Sequence, residues 1–125
     1  MFKDAETFTS FSTNDLQKAN EFYGRTLGLD VSETPEGLQI KLADGHAIFL
    51  YPKSNHEPAT YTVLNFQVDN IDEAVDELNK LGISLEHYDL PDLKTDEKGI
   101  FRHQGPQIAW FKDPAGNILS VIEES

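Results

Sequence analysis

The sequence predicts an α+β fold: two β-α-β-β-β repeats forming a curved antiparallel sheet with helices on its convex face. Three observations carry this expectation: an internal repeat, an amphipathic stripe in each copy, and a glycine turn at the matching place in each half. Residues 11 to 29, "FSTNDLQKANEFYGRTLGL", align with residues 66 to 83, "FQVDNIDEAVDELNKLGI". Phe11 falls on Phe66, Leu16 on Ile71 and Ala19 on Ala74; after a one-residue deletion, Leu27-Gly28-Leu29 falls on Leu81-Gly82-Ile83. Self-similarity of this kind marks one supersecondary unit used twice. It divides a single 125-residue domain into repeat one, about 4–52, a linker at about 53–60, and repeat two, about 61–124.

Each repeat reads as strand, cap, helix, glycine stop and further strands. In the first, Thr13 or Asn14 is placed to cap a helix whose apolar stripe is Leu16, Ala19, Phe22, Tyr23 and Leu27. The strands of "LDVSETPEGLQIKLADGHAIFLYP" follow, with the turn "ADGHA" between the last two. In the second repeat Asn70 caps, Asp72 and Glu73 sit where the helix dipole favours anions, and Ile71, Ala74, Val75, Leu78 and Leu81 share a face. Strands are then expected in "ISLEHYDLPD" and "PQIAWFKDPAGNILSVIEE", with Gly116 matching Gly45. Residues 89–107, "DLPDLKTDEKGIFRHQGPQ", are the longest irregular stretch.

Composition removes several function classes. There are 22 acidic and 10 basic residues, a formal charge of −12, which leaves no electrostatic footprint for nucleic acid or an anionic membrane. An acidic exterior weakly favours cationic small molecules. The absence of cysteine excludes disulfides, thiolate metal sites and a cysteine nucleophile. No apolar run has the length of a membrane span, and "MFKDAETF" does not read as a secretory signal, so a cytoplasmic location is expected.

Strand parity assigns a side to each residue. In "TVLNFQVD", Leu64, Phe66 and Val68 face the helix, and Val63, Asn65 and Gln67 the concave side; by the repeat, Phe8, Ser10 and Ser12 join the latter. Ile48, Leu50, Leu119 and Val121 go to the helix side, and Ala47, Phe49, Tyr51, Ile118, Ser120 and Ile122 to the concave side. One small polar residue, Ser120, thus interrupts an apolar strand where it faces a cavity.

The segments "NDLQKANEFYGRTLGL", "VLNFQVDNIDEAVDELNKLGI" and "WFKDPAGNILSVIE", in this order and at this spacing, resemble the vicinal oxygen chelate superfamily. That superfamily includes glyoxalase I, extradiol dioxygenases and bleomycin or fosfomycin resistance proteins. The resemblance covers nearly the whole chain and implies a homodimer. It also implies a divalent metal site on the concave wall, with ligands from the first and last strands of each half. Those positions are Phe8, Phe49, Val63 and Ser120 here, and none offers a useful ligand group. The expectation is therefore no metal and no cofactor.

What remains is a mixed pocket. Phe8, Phe49, Tyr51, Val63 and Ile118 supply apolar wall, while Ser10, Ser12, Asn65, Gln67 and Ser120 supply hydrogen bonds. Trp110 either offers a stacking surface at the cavity or lies in a dimer contact or the sheet interior. Lys94, Lys98, Arg102 and His103 in the long connection either contact an anionic ligand or neutralise Asp92, Asp96 and Glu97. His46, His56 and His87 read as solvated or structural. No serine has an obvious base, and Glu6 and Glu57 are the carboxylates near the rim. The leading expectation is a metal-independent protein that sequesters an aromatic or bulky small molecule; an enzyme of the same fold with a non-standard or absent metal site, or a partner-binding domain, are the alternatives.

Overall fold

The structure, a computed structural model, describes residues 1–102 and 105–124. The chain divides into two compact units, Met1–Glu57 and Pro58–Ser125. The first contains a 3-10 turn, Phe2–Asp4, then β1 (Thr9–Thr13), α1 (Leu16–Asn20) continued by a π-helical segment, Glu21–Thr26, and the strands β2 (Asp30–Thr34), β3 (Gly37–Lys41) and β4 (Ala47–Pro52). Its sheet order is β1-β4-β3-β2.

The second unit contains β5 (Thr62–Gln67), α2 (Ile71–Lys80), a small hairpin of β6 (Asp89–Leu90) and β7 (Leu93–Lys94), then β8 (Ile100–Phe101), β9 (Gln107–Lys112) and β10 (Ile118–Glu123). Its main sheet, β5-β10-β9-β8, repeats the first topology, with the two-residue β8 in the place of β2. The α+β class and the twofold repeat are as expected.

The pairing within each sheet departs from the all-antiparallel expectation in one respect: β1 lies parallel to β4, and β5 parallel to β10. The reason is directional. The chain reverses on entering the helix, again on leaving it, and once more at each of the two antiparallel connections between the later strands, so after four reversals the last strand runs the same way as the first. "ISLEHY" also forms no strand; it runs beside β9, where the Glu86 amide donates to the Trp110 carbonyl at 2.7 Å. The supposedly irregular 89–107 connection instead holds β6, β7 and β8.

Asn70 caps α2 as its sequence predicts, its Oδ1 accepting from the Glu73 amide at 3.1 Å. A second acceptor, Glu123 Oε1 on β10, takes the Ile71 amide at 2.8 Å. At the other end Gly82, at φ 83°, lets the Ile83 amide reach the Leu78 carbonyl and its own amide the Asn79 carbonyl, a left-handed stop that a side chain would strain. The helix buries Ile71, Val75 and Leu78 and packs on β9 and β10. Leu81 leaves the expected stripe, 41% exposed, because the helix ends one residue before it.

The first helix is capped by Asp15, not by Thr13 or Asn14: Asp15 Oδ1 accepts the Lys18 amide at 3.1 Å. Thr13 is instead the last residue of β1, with its hydroxyl turned to the Asp15 backbone. Asp15 is also the residue the repeat aligns with Asn70. The one-residue excess of the first copy is absorbed by the π segment, where the Leu27 amide bonds to the Phe22 carbonyl five residues back. Widening the helix by one residue keeps Tyr23, fully buried, edge-on to Phe11 in the core of Leu38, Ile40, Ile48 and Leu50.

Among the described residues no helix is long and apolar enough to cross a membrane. Asp15→Ala removes the side-chain cap of α1 and should lower stability by about 1 kcal/mol in urea unfolding. Asn14→Ala, one residue earlier and exposed, should change it by less than about 0.5 kcal/mol.

Candidate functional site

Parallel pairing places residues from opposite ends of each unit side by side. In the first sheet Ser10, Phe49 and Gln39 form one row across β1, β4 and β3. In the second, Asn65, Ser120 and Trp110 form the equivalent row across β5, β10 and β9. The faces follow the expected parity: Ile48, Leu50, Leu119 and Val121 are buried on the helix side, while Phe49, Tyr51, Ile118 and Ile122 are half-buried on the other.

Ser120 is fully buried, and its hydroxyl donates to Asn65 Oδ1 at 2.5 Å. Such a hydroxyl is tolerated inside a strand because the neighbouring strand provides an acceptor in register. Trp110 shares this face, while Phe111 turns to the core. The indole Nε1 donates to Thr62 Oγ1 at 3.0 Å, and Tyr88 packs edge-on at 5.6 Å between centroids, with Phe101 tilted at 6.3 Å. The resulting aromatic cluster is held by a polar anchor. Burial pushes the Tyr88 phenol above its usual range.

Val63 is handled differently from the simple alternation. The register between β5 and β10 shifts between Ile118 and Leu119, so Thr62 pairs with Ile118 and Leu64 with Leu119. Val63 is the extra residue of this bulge, and Thr62 is the one whose side chain meets Trp110. Gln67 lies on the Asn65 face beside Ile122, exposed.

The first sheet carries an open cleft of about 670 Å³. Phe8, Ala47 and Phe49 supply its apolar wall, Thr34 and Gln39 its hydrogen-bonding groups, and Glu6 and Glu36 its charge. Phe8 is 67% exposed, just before β1. Phe49 stacks with Tyr51 at 6.4 Å and an interplanar angle of 16°. Gly37 makes room for it: a Cβ there would collide with the Leu50 carbonyl oxygen and lie 3.2 Å from Phe49 Cζ. Of the two carboxylates at the cleft, sequence reasoning named Glu6 and missed Glu36, which only the turn between β2 and β3 brings to the same cleft.

Two histidine contacts were also not legible in the sequence. Ser12 Oγ and His56 Nδ1 share a hydrogen bond of 2.6 Å, and Thr9 Oγ1 and His46 Nε2 one of 2.9 Å. Both join residues far apart in the chain. The linker is turned back on β1 by the Lys53 amide, which donates to the Thr13 carbonyl, so His56 arrives beside Ser12.

Arg102 takes the neutralising role rather than standing free. Its guanidinium reaches Asp72 at 2.7 Å, Asp96 at 2.8 Å and Gln107 Oε1 at 2.6 Å. Lys98 binds Asp72 at 3.0 Å and Asp76 at 3.2 Å, so the partners lie on α2 as well as in the connection. Hydrogen bonds from Arg102 and Lys98 hold the Asp72 carboxyl below the usual range. Burial pushes Asp96 upward, but the Arg102 guanidinium and the Ile100 and Lys98 amides outweigh it, so it too is lowered. His103 lies outside the described residues.

The family model described as Glyoxalase/Bleomycin resistance protein/Dioxygenase superfamily matches residues 7–121. The chain belongs to this superfamily. Among solved structures, the superfamily member resembles the genomically encoded fosfomycin resistance protein of Listeria monocytogenes, at 15% identity and TM-score 0.72 over 98% of this chain and 92% of that one. It resembles a glyoxalase family protein of Enterococcus faecalis at 23% identity and TM-score 0.71, over 98% and 100%. An antibiotic binding protein of a Streptomyces species gives 21% and 0.69, covering 98% of each chain. At these identities the likeness is one of fold. Comparison with curated proteins finds no significant match.

The metal usual to the superfamily does not fit the residues at its positions. Phe8, Phe49 and Val63 carry hydrocarbon, and the hydroxyl of Ser120 is committed to Asn65. Among the described residues no group of three or more His, Asp or Glu side chains is arranged to hold an ion.

Two outcomes follow from these contacts. Ser120→Ala should destabilise the protein by about 1 kcal/mol, and Ser120→Leu by roughly 1–3 kcal/mol through overpacking, in denaturant titrations. Asp72 and Asp96 are lowered in the folded state, so their contribution is present above the unfolded carboxylate value of about 3.9 and is lost as pH falls through the folded values. Stability measured from about pH 5 downward should therefore fall less steeply in Arg102→Gln than in the parent.

Proposed function

We propose that this superfamily member is a metal-independent small-molecule binding protein that holds an aromatic or bulky ligand against the first sheet. The observation that carries the proposal is the cleft walled by Phe8 and Phe49, with Gln39 and Thr34 as fixed hydrogen-bonding groups. Mostly apolar walls with a few placed polar groups are the usual make-up of a ligand site. An antibiotic binding protein among the structural neighbours supports the same reading. Ser10 and Tyr51, on the same face as Phe49, extend the contact surface. On the second sheet, Trp110 with Asn65 and Gln67 offers a stacking platform, with the Ser120 hydroxyl holding Asn65. A cytoplasmic homodimer is the assembly proposed with it.

The test uses neutral acridine as a planar probe, with native mass spectrometry and fluorescence titration. Saturable binding of one probe per chain, unchanged by EDTA and without stoichiometric nickel, zinc, manganese or ferrous iron, is expected. Phe49→Ala should weaken it about tenfold or more, since a buried aromatic contact is worth about 1.5–3 kcal/mol. Binding that disappears on chelation and returns with one ion per chain would overturn the proposal.

A further inference from the structure

We infer that the cleft of the first unit selects a cationic aromatic molecule, with Glu6 and Glu36 as the charge-recognising residues. The inference rests on the proposed function, because it names the ligand class of the same site.

Both carboxylates line the cleft together with Phe8 and Phe49. Neither has a cationic partner among the described residues, and no Lys, Arg or His is among the residues that line the cleft. The second unit behaves otherwise. Asp72, Asp76 and Asp96 are there drawn into ion pairs with Lys98 and Arg102.

Glu36 is also placed with some care. The Thr34 hydroxyl accepts the Glu36 amide at 3.3 Å and the Gly37 amide at 3.1 Å, and donates to the Gly37 carbonyl at 3.1 Å. This fixes the β2–β3 turn at the edge of the cleft. The internal repeat provides an independent comparison. The counterparts of Glu6 and Glu36 are Tyr61 and Gln107, and those of Phe8 and Gln39 are Val63 and Trp110. Features that the fold requires recur in both copies, as the caps Asp15 and Asn70 do. The two acids and the aromatic at position 8 belong to the first copy alone.

Two uncompensated carboxylates beside an aromatic wall favour a ligand that brings positive charge and a flat apolar body. The charge answers the carboxylates, and a ring face can attract the same cation. An anionic ligand of equal shape meets repulsion instead.

The experiment titrates the protein at neutral pH with three probes of one shape: the aminoacridinium cation, neutral acridine and the acridine carboxylate anion. Wild type should prefer the cation over acridine by about tenfold and bind the anion more weakly than either. In the double variant Glu6→Gln/Glu36→Gln the cation should fall to the affinity of acridine, with acridine itself unchanged. Both positions are exposed, so the variant keeps its core. Equal binding of cation and acridine in wild type, or a preference that survives in the variant, overturns the charge inference and leaves the pocket standing. Failure of all three probes to saturate, or binding indifferent to Phe49→Ala, overturns the pocket and the inference with it.

Discussion

The parallel pairing of the first strand of each unit with its last is the contact on which the rest depends. Four reversals of direction, into the helix, out of it and at the two antiparallel connections that follow, bring the strand back beside its starting point. Without that pairing β1 and β5 would be loose strands attached to helices, and each remaining sheet would be a three-stranded meander. With it, Ser10 meets Phe49 and Asn65 meets Ser120, residues separated by 39 and 55 positions. The helices then cover one face of each sheet and leave the other available for chemistry.

The available faces have been used differently in the two units. In the second, the polar groups satisfy one another: Ser120 with Asn65, Trp110 with Thr62, and, on the helix and connection, Arg102 and Lys98 with aspartates. In the first, Phe8 and Phe49 stand in a cleft whose carboxylates have no such partners among the described residues. The superfamily fold is kept, and the positions where the resemblance expects metal ligands carry hydrocarbon and a hydroxyl. Fold supplies the faces, and the residues on them supply the function.

Accommodation of the one-residue difference between the copies shows how firmly the fold holds its register. The first helix widens into a π segment, and the Tyr23 ring stays fully buried. At β5 the opposite end of the problem appears, where a bulge at Val63 lets Thr62 face Trp110 while Leu64 still packs toward the core side. In both places a local irregularity protects the long-range packing, because burying a large side chain outweighs one displaced backbone bond.

The sequence by itself determined the repeat, the helical stripes, the Asn70 cap and the face of nearly every strand residue. These are local or periodic properties, set by spacing of 2 or 3.6 residues and by side-chain chemistry. Only the tertiary structure decided which strands lie side by side, that Asp15 rather than Thr13 caps α1, and that the 89–107 connection folds into short strands. It alone joined Ser120 to Asn65, His56 to Ser12, Arg102 to Asp72, and Glu36 to the cleft of Phe8. Each of these is a meeting of residues distant in the chain. Hydrophobic pattern fixes which way a side chain faces, but its partner across a sheet depends on the order in which strands pair, and that order is a property of the whole packed unit.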